Sequence, residues 1–104
     1  MSKTALFIRH KAKPGQRDAV RKVWEKHLRA RIGANAAHEA YFYCYDDNDP
    51  ELICVFQLYA DASGPQQFVQ QSWYPAYEAE AAPLLTGESE FRSATPFWIK
   101  GGAA

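Results

Sequence analysis

The apolar residues of this chain change their spacing in a fixed order, and that order constrains the fold more than any other feature. From Thr4 to Lys13 they alternate. Leu6, Ile8, His10 and Ala12 share one face, and Ala5, Phe7, Arg9 and Lys11 the other, as in a strand. Pro14-Gly15 stops it. From Gln16 to Ile32 the spacing is helical, with Val20, Val23, Trp24, Leu28 and Ile32 on one stripe. Asp18 in the first turn and Arg29 and Arg31 in the last suit the helix dipole. Gly33 fits the left-handed residue that ends such a helix. His38 to Asp46 is rich in strand formers, Tyr41 to Tyr45 above all. Asp46 to Pro50 has turn composition, and Glu51 to Tyr59 is a third strand, so strands two and three form an antiparallel hairpin. In that third strand Ile53, Val55 and Gln57 share a face opposite Leu52, Cys54, Phe56 and Leu58. Asp61 to Pro65 announces a second helix running to about Leu85, which Pro75 kinks or breaks. Gly87 ends it, and Glu88 to Lys100 alternates as a last strand in which Pro96 points to an edge or a bulge.

The order β-α-β-β-α-β predicts an α+β, ferredoxin-like fold: one antiparallel sheet with two helices on one face. A chain of 104 residues is read as one domain, residues 1–104, with a core from about 4 to 100 and a tail, 101–104, expected to fray. The face of the sheet away from the helices is partly apolar and needs cover, which a second copy of the chain supplies most simply. A homodimer is therefore expected.

Composition removes several function classes. Apolar residues make up 47% and aromatics 14%, as in globular proteins. The start resembles no signal peptide, and no apolar run reaches the roughly 20 residues that span a bilayer, so the expectation is a cytoplasmic protein with no membrane partner. Up to Arg31 there are ten Lys and Arg against two acids, and beyond it two against ten. The bases fall mostly on the polar face of the first helix, which reads as a solvated face, so no nucleic-acid partner is expected. Cys44 and Cys54 match no zinc spacing and read as small buried hydrophobes, although they lie near one another across the predicted hairpin. No histidine pair has metal-ligand spacing, and Asp46, Asp47 and Asp49 lack the glycine and closing glutamate of a calcium loop; no metal site is expected.

Four sets of side chains are candidates for chemistry. His10 shares a strand face with Leu6 and Ile8; an imidazole that titrates near neutrality there would be a general base, and a half-buried hydrogen-bonded histidine is the structural alternative. Trp73 and Tyr77 are four apart on the second helix, so they would project together, either as the aromatic wall of a pocket or as helix-on-sheet packing. Tyr41, Tyr43 and Tyr45 share one face of strand two, at a pocket, in the core or at a dimer interface. Trp24 reads as core.

The ordered set has a familiar look. It consists of a first strand ending in Lys13-Pro14-Gly15, a helix with Trp24 and His27-Leu28, and a tyrosine-rich second strand. The turn from Asp46 to Pro50, Tyr59-Ala60-Asp61, Tyr77 and Ala82-Pro83-Leu84-Leu85 follow. Together, over roughly residues 4 to 100, these resemble the antibiotic-biosynthesis-monooxygenase family. The resemblance implies a dimeric α/β barrel with a hydrophobic pocket in each protomer. It also implies oxygenation of a small phenolic or quinol substrate by molecular oxygen with no cofactor. Under it His10 would be catalytic, and Trp73, Tyr77, Tyr43 and Gln71 would bind substrate. The chain departs from the family at Phe68 and Trp73, near which many members carry histidine, and at Gln57, where many carry glutamate. Those departures motivate another reading, a non-catalytic dimeric module that binds an aromatic ligand. Haem binding, which the resemblance implies for some relatives, stays a minor reading because the strand-one asparagine and helix-two histidine of the haem-degrading members are absent.

Overall fold

A computed structural model describes residues 3–102; Ala103 and Ala104 of the expected frayed tail, and Met1 and Ser2, lie outside the described residues. The elements follow the order read from the sequence. β1 spans Thr4–Lys11 and α1 Arg17–Trp24. A π-helical turn, Glu25–Arg29, joins α1 directly to α2, Ala30–Ala34. β2 (His38–Tyr45) and β3 (Leu52–Tyr59) form the hairpin. α3 (Gly64–Val69), α4 (Tyr74–Ala81) and a short 3₁₀ turn (Ala82–Leu84) precede β4 (Glu90–Ala94). The strands lie in the order β2-β3-β1-β4, every neighbouring pair antiparallel. This is the ferredoxin-like sheet, with the two non-consecutive strands β1 and β3 at its centre.

The alternation grouped the residues by face without assigning which face meets the helices; the structure turns the following set inward. Ile8, Ala12, Ile53, Val55 and Tyr59 meet Val20, Val23, Leu28 and Ile32 from the first helix and Phe68, Tyr77 and Ala81 from the later ones. Ile53 at 0% and Val20 at 1% exposure are fully buried, each stabilising the fold by roughly 1.5–3 kcal/mol. Tyr59 is as deeply buried, and Gly64 exists to admit it: a Cβ there would lie 2.5 Å from Tyr59 Cδ1. Gly15, at φ +76°, closes the turn after β1.

The turn between β2 and β3 uses up its acids. Asp46 Oδ2 accepts the backbone N–H groups of Asn48 and Asp49, at 2.9 and 2.8 Å. Arg17 reaches over from α1 and donates to the carbonyls of Asp46, Asp49 and Leu52. The segment after α4 returns to β1, where Lys13 N–H donates to Leu84 O at 2.8 Å and Thr86 N–H to Lys11 O at 2.6 Å.

Five expectations are corrected. The first helix passes through Gly33, which is helical, and ends at Asn35, whose extended ψ of 106° breaks the spiral. The second helix is two helices: the interruption falls at residues 70–73, and Pro75 sits in the first turn of α4, where its missing N–H costs nothing. The last strand is short and stops at Ala94, two residues before Pro96, which has no N–H to give a ladder. Cys44 and Cys54 are not core residues. They are cross-strand partners on the outer face of the sheet, Cys44 exposed and Cys54 half-buried, both free thiols. The solvated face of the first helix is corrected at Arg17, which is committed to the hairpin, while Lys26 and Arg29 stay exposed with surface pairs to Glu80 and Glu25. None of the described helices is long and apolar enough to cross a membrane.

Candidate functional site: a cavity between sheet and helices

Between the inner face of the sheet and the helices lies a cavity of about 250 Å³. Its floor is Leu6, Ile8 and Val55, and Leu28, Phe68 and Tyr77 close it from the helix side. The π-helical turn spaces Trp24 and Leu28 so that both face this space; such turns recur at functional sites. Trp24 stacks on Tyr43 with ring centroids 4.3 Å apart and donates its indole N–H to the Tyr41 hydroxyl at 3.0 Å. The walls are therefore flat aromatic faces held by packing and by one indole hydrogen bond.

Polar groups stand at its two ends. His10, on β1, is bound through Nδ1 to Ser89 Oγ at 2.5 Å, and the edge of Phe91 lies against it at 6.1 Å between centroids. Among the described residues its Nε2 makes no hydrogen bond. Burial pushes the imidazole down to about 4, which corrects the expectation of a histidine titrating near neutrality. His10 is thus a neutral imidazole at physiological pH. At the other end is Gln57, 5% exposed. In the ladder Leu6 faces Gln57 while His10 faces Ile53, so the two ends are four residues apart, about 13 Å along the strands.

Gln57 Oε1 accepts two hydrogen bonds, from the Tyr59 hydroxyl at 2.6 Å and from His38 Nε2 at 3.0 Å. Asn35 in turn bonds His38 Nδ1 at 2.9 Å. Burial holds His38 below its ordinary pKa, the bond to Gln57 opposing that shift in part. Burial raises every tyrosine on the cavity wall, Tyr74 to about 12, so none is an acid near neutral pH. Among the described residues the buried Tyr43 hydroxyl has no hydrogen-bond partner.

Of the residues singled out from the sequence, His10, Tyr43 and Tyr77 meet in this cavity, and Trp73 and Gln71 do not. The break before Pro75 turns those two outward, into a separate depression of about 340 Å³ with Arg31, whose guanidinium lies 4.3 Å from the centroid of the Trp73 ring. Trp73 and Tyr77 are four apart but do not share a helical face, because Trp73 precedes the first turn of α4. Gln57, Trp24 and Phe68 are wall residues that the sequence presented as a departure from a pattern, as core and as a substitution. The signal for Gln57 was a polar residue on the inward set of β3.

No family model matches the chain, and no curated protein matches it. Solved structures do. A protein of unknown function from Nitrosomonas europaea is 30% identical over 100% of this chain and 98% of its own, with a TM-score of 0.80. A Chloroflexus aurantiacus protein assigned to the antibiotic biosynthesis monooxygenases is 20% identical, with a TM-score of 0.78, over 99% of this chain and 98% of its own. One from Caulobacter crescentus with the same assignment superposes with a TM-score of 0.85 at 17% identity, over 93% of this chain and 92% of its own. The chain forms one family with the Nitrosomonas protein, and its fold is that of the antibiotic biosynthesis monooxygenases. In this monooxygenase fold the cavity lies between the helices and the sheet, within reach of both His10 and Gln57.

Proposed function

We propose that this chain is a monooxygenase that oxidises a small phenolic or quinol ring in the cavity, using molecular oxygen and no bound cofactor. The observation that carries the reading is the cavity itself, flat-walled and largely apolar with an imidazole at one end. Its volume of about 250 Å³ is below the roughly 300–1,000 Å³ of sites for drug-sized ligands, which favours a compact ring. The assignment of similarly folded proteins to monooxygenases supports the same reaction class.

In this reading Trp24 and Tyr77 sandwich the ring, and Nδ1–H of His10 donates to Ser89, leaving the Nε2 lone pair toward the ring hydroxyl. Nε2 takes the phenolic proton. A resting pKa near 4 makes His10 a weak base in the empty site; pairing with the phenolate it creates raises its affinity for the proton. An electron-rich ring carbon that bears hydrogen, para to the oxygen in a phenol or ortho to it in a quinol, forms a C–O bond with dioxygen, and the proton completes a hydroperoxide. Its O–O bond then breaks as the hydrogen on that carbon leaves with hydroxide as water. The sum is one ring and one dioxygen giving one quinone and one water, so no external reductant is consumed. The apolar walls keep bulk water from the intermediate. Oxygen uptake with a panel of monohydroxy- and dihydroxynaphthalenes, without added flavin or metal, is the test. Turnover above the buffer rate that His10→Asn abolishes while folding is retained supports it, and buffer-level uptake across the panel overturns it.

A weak resting base also favours a second reading, a module that binds an aromatic ligand without turning it over. It gives ligand-dependent thermal stabilisation with no product.

The outer face of the sheet completes the proposal. Phe7 at 46%, Phe42 at 58% and Trp98 at 76% exposure are large apolar groups in water. A groove of about 400 Å³ runs past Phe7, Phe56, Leu58 and Trp98. A sheet covered by helices on one face only needs a second layer on the other, and a second copy is the occupant present in every solution of the protein. Sedimentation should give twice the chain mass of 11.8 kDa, and Phe42→Glu should return the monomer; a monomeric wild type overturns the pairing.

A further inference from the structure

The orientation of the Gln57 amide is fixed by a chain of hydrogen bonds that begins at a group able only to donate. The backbone N–H of Ala37 donates to Asn35 Oδ1 at 3.3 Å, which turns Asn35 Nδ2 toward His38. Nδ2 donates to His38 Nδ1 at 2.9 Å, so that nitrogen carries the lone pair. A neutral imidazole then bears its proton on Nε2, which donates to Gln57 Oε1 at 3.0 Å. The Tyr59 hydroxyl donates to the same oxygen at 2.6 Å. A flipped Gln57 would set its amino group against the Nε2–H of His38, which can only donate. The oxygen is therefore taken twice, while among the described residues the Nε2 amino group makes no hydrogen bond and belongs to a side chain on the cavity wall.

We infer that Gln57 is a specificity residue, whose amide N–H receives an acceptor oxygen of carbonyl class carried by the ring in the cavity. The inference rests on the reading of the cavity as an aromatic-substrate site. A ligand that displaces water from this amide N–H and supplies an acceptor in its place is preferred over one that supplies none. Asn35, His38 and Tyr59 are positioning residues: they hold the amide so that it shows the ligand a donor and never an acceptor. Because Gln57 and His10 stand about 13 Å apart along the strands, the acceptor oxygen and the hydroxyl whose proton His10 takes lie at opposite ends of the ligand.

Replacing Gln57 by its isostere reverses the polarity at one atom. In Gln57→Glu one carboxylate oxygen still accepts from His38 and Tyr59, and the other faces the cavity as an acceptor. Calorimetric binding at pH 8 uses two neutral one-ring probes, acetophenone as acceptor and aniline as donor. Wild type should bind acetophenone about tenfold more tightly than aniline, the worth of one hydrogen bond. Gln57→Glu should prefer aniline, and Gln57→Met should show no preference. Tyr59 and His38 lose their acceptor in the Met variant, so circular dichroism confirms its fold, and the Glu variant decides the matter by itself. Both probes bound with the same preference in wild type and Gln57→Glu would overturn the assignment of Gln57 and leave the cavity reading intact. Wild type that binds neither probe would overturn both.

Discussion

Tyr41 and Tyr43 stand two apart on the same face of β2, and the two substitutions to phenylalanine should move stability in opposite directions. The Tyr41 hydroxyl accepts the Trp24 indole N–H at 3.0 Å. Removing it leaves a part-buried donor unbonded, at a cost of about 1–3 kcal/mol. The Tyr43 hydroxyl is buried and has no partner among the described residues. Removing it deletes an uncompensated polar atom while keeping the ring stacked 4.3 Å from Trp24. Tyr43→Phe should therefore stabilise the protein by about 1 kcal/mol, which for a domain near 100 residues raises Tm by roughly 4–8 °C. Thermal unfolding by circular dichroism, at one protein concentration because association shifts Tm, reads both variants. Tyr43→Phe less stable than wild type by 1 kcal/mol or more would refute the argument, since the hydroxyl would then have a partner that the structure does not contain.

Gly64→Ala should destabilise by about 1–3 kcal/mol, because the new methyl meets the ring of Tyr59, 1% exposed and unable to retreat; urea denaturation reads it, and an unchanged midpoint contradicts the packing described. His10 gives a pH signature. Its folded pKa of about 4 lies below the unfolded value of 6.5, so the unfolded chain binds more protons between those values and stability falls as pH falls from 6.5 to 4. The loss from this residue is at most about 3 kcal/mol. The stability difference between His10→Phe and wild type should shift in favour of the variant by that order across the same window; a difference independent of pH contradicts a buried neutral imidazole.

Strand faces and element order were legible because alternation and helical spacing are set by burial, which is strongest at Ile53, Val55 and Val20. The pattern grouped His10 and Tyr43 with the other residues of their strand faces, but alternation alone does not say which face the helices cover, and it is the packing that brings both to the cavity with Tyr77. What failed depended on a single backbone event or on another element. Pro75 was read as kinking or breaking one helix, and the position of the break, residues 70–73 rather than at the proline, decides that Trp73 and Gln71 leave the cavity. The helix continues through Gly33 to Ala34 after a π-helical turn, Glu25–Arg29, that no spacing rule signals. The cysteines were expected inside because thiols bury well, yet parity put them on the outer face with Phe42 and Phe56. The role of Gln57 was out of reach in a different way. It depends on Asn35 and His38, which precede it by 22 and 19 residues in the sequence and whose proton arrangement exists only once the strands are paired.

The central claim is that this cavity puts one atom of dioxygen into a phenolic ring. It is tested most directly by incubating the protein and a hydroxynaphthalene that gives turnover under ¹⁸O₂ and weighing the product. One ¹⁸O in the quinone and the other in water, with labelling lost in His10→Asn, is the result predicted. Quinone free of label, or label unchanged in His10→Asn, would contradict the account and leave the cavity as a binding site only.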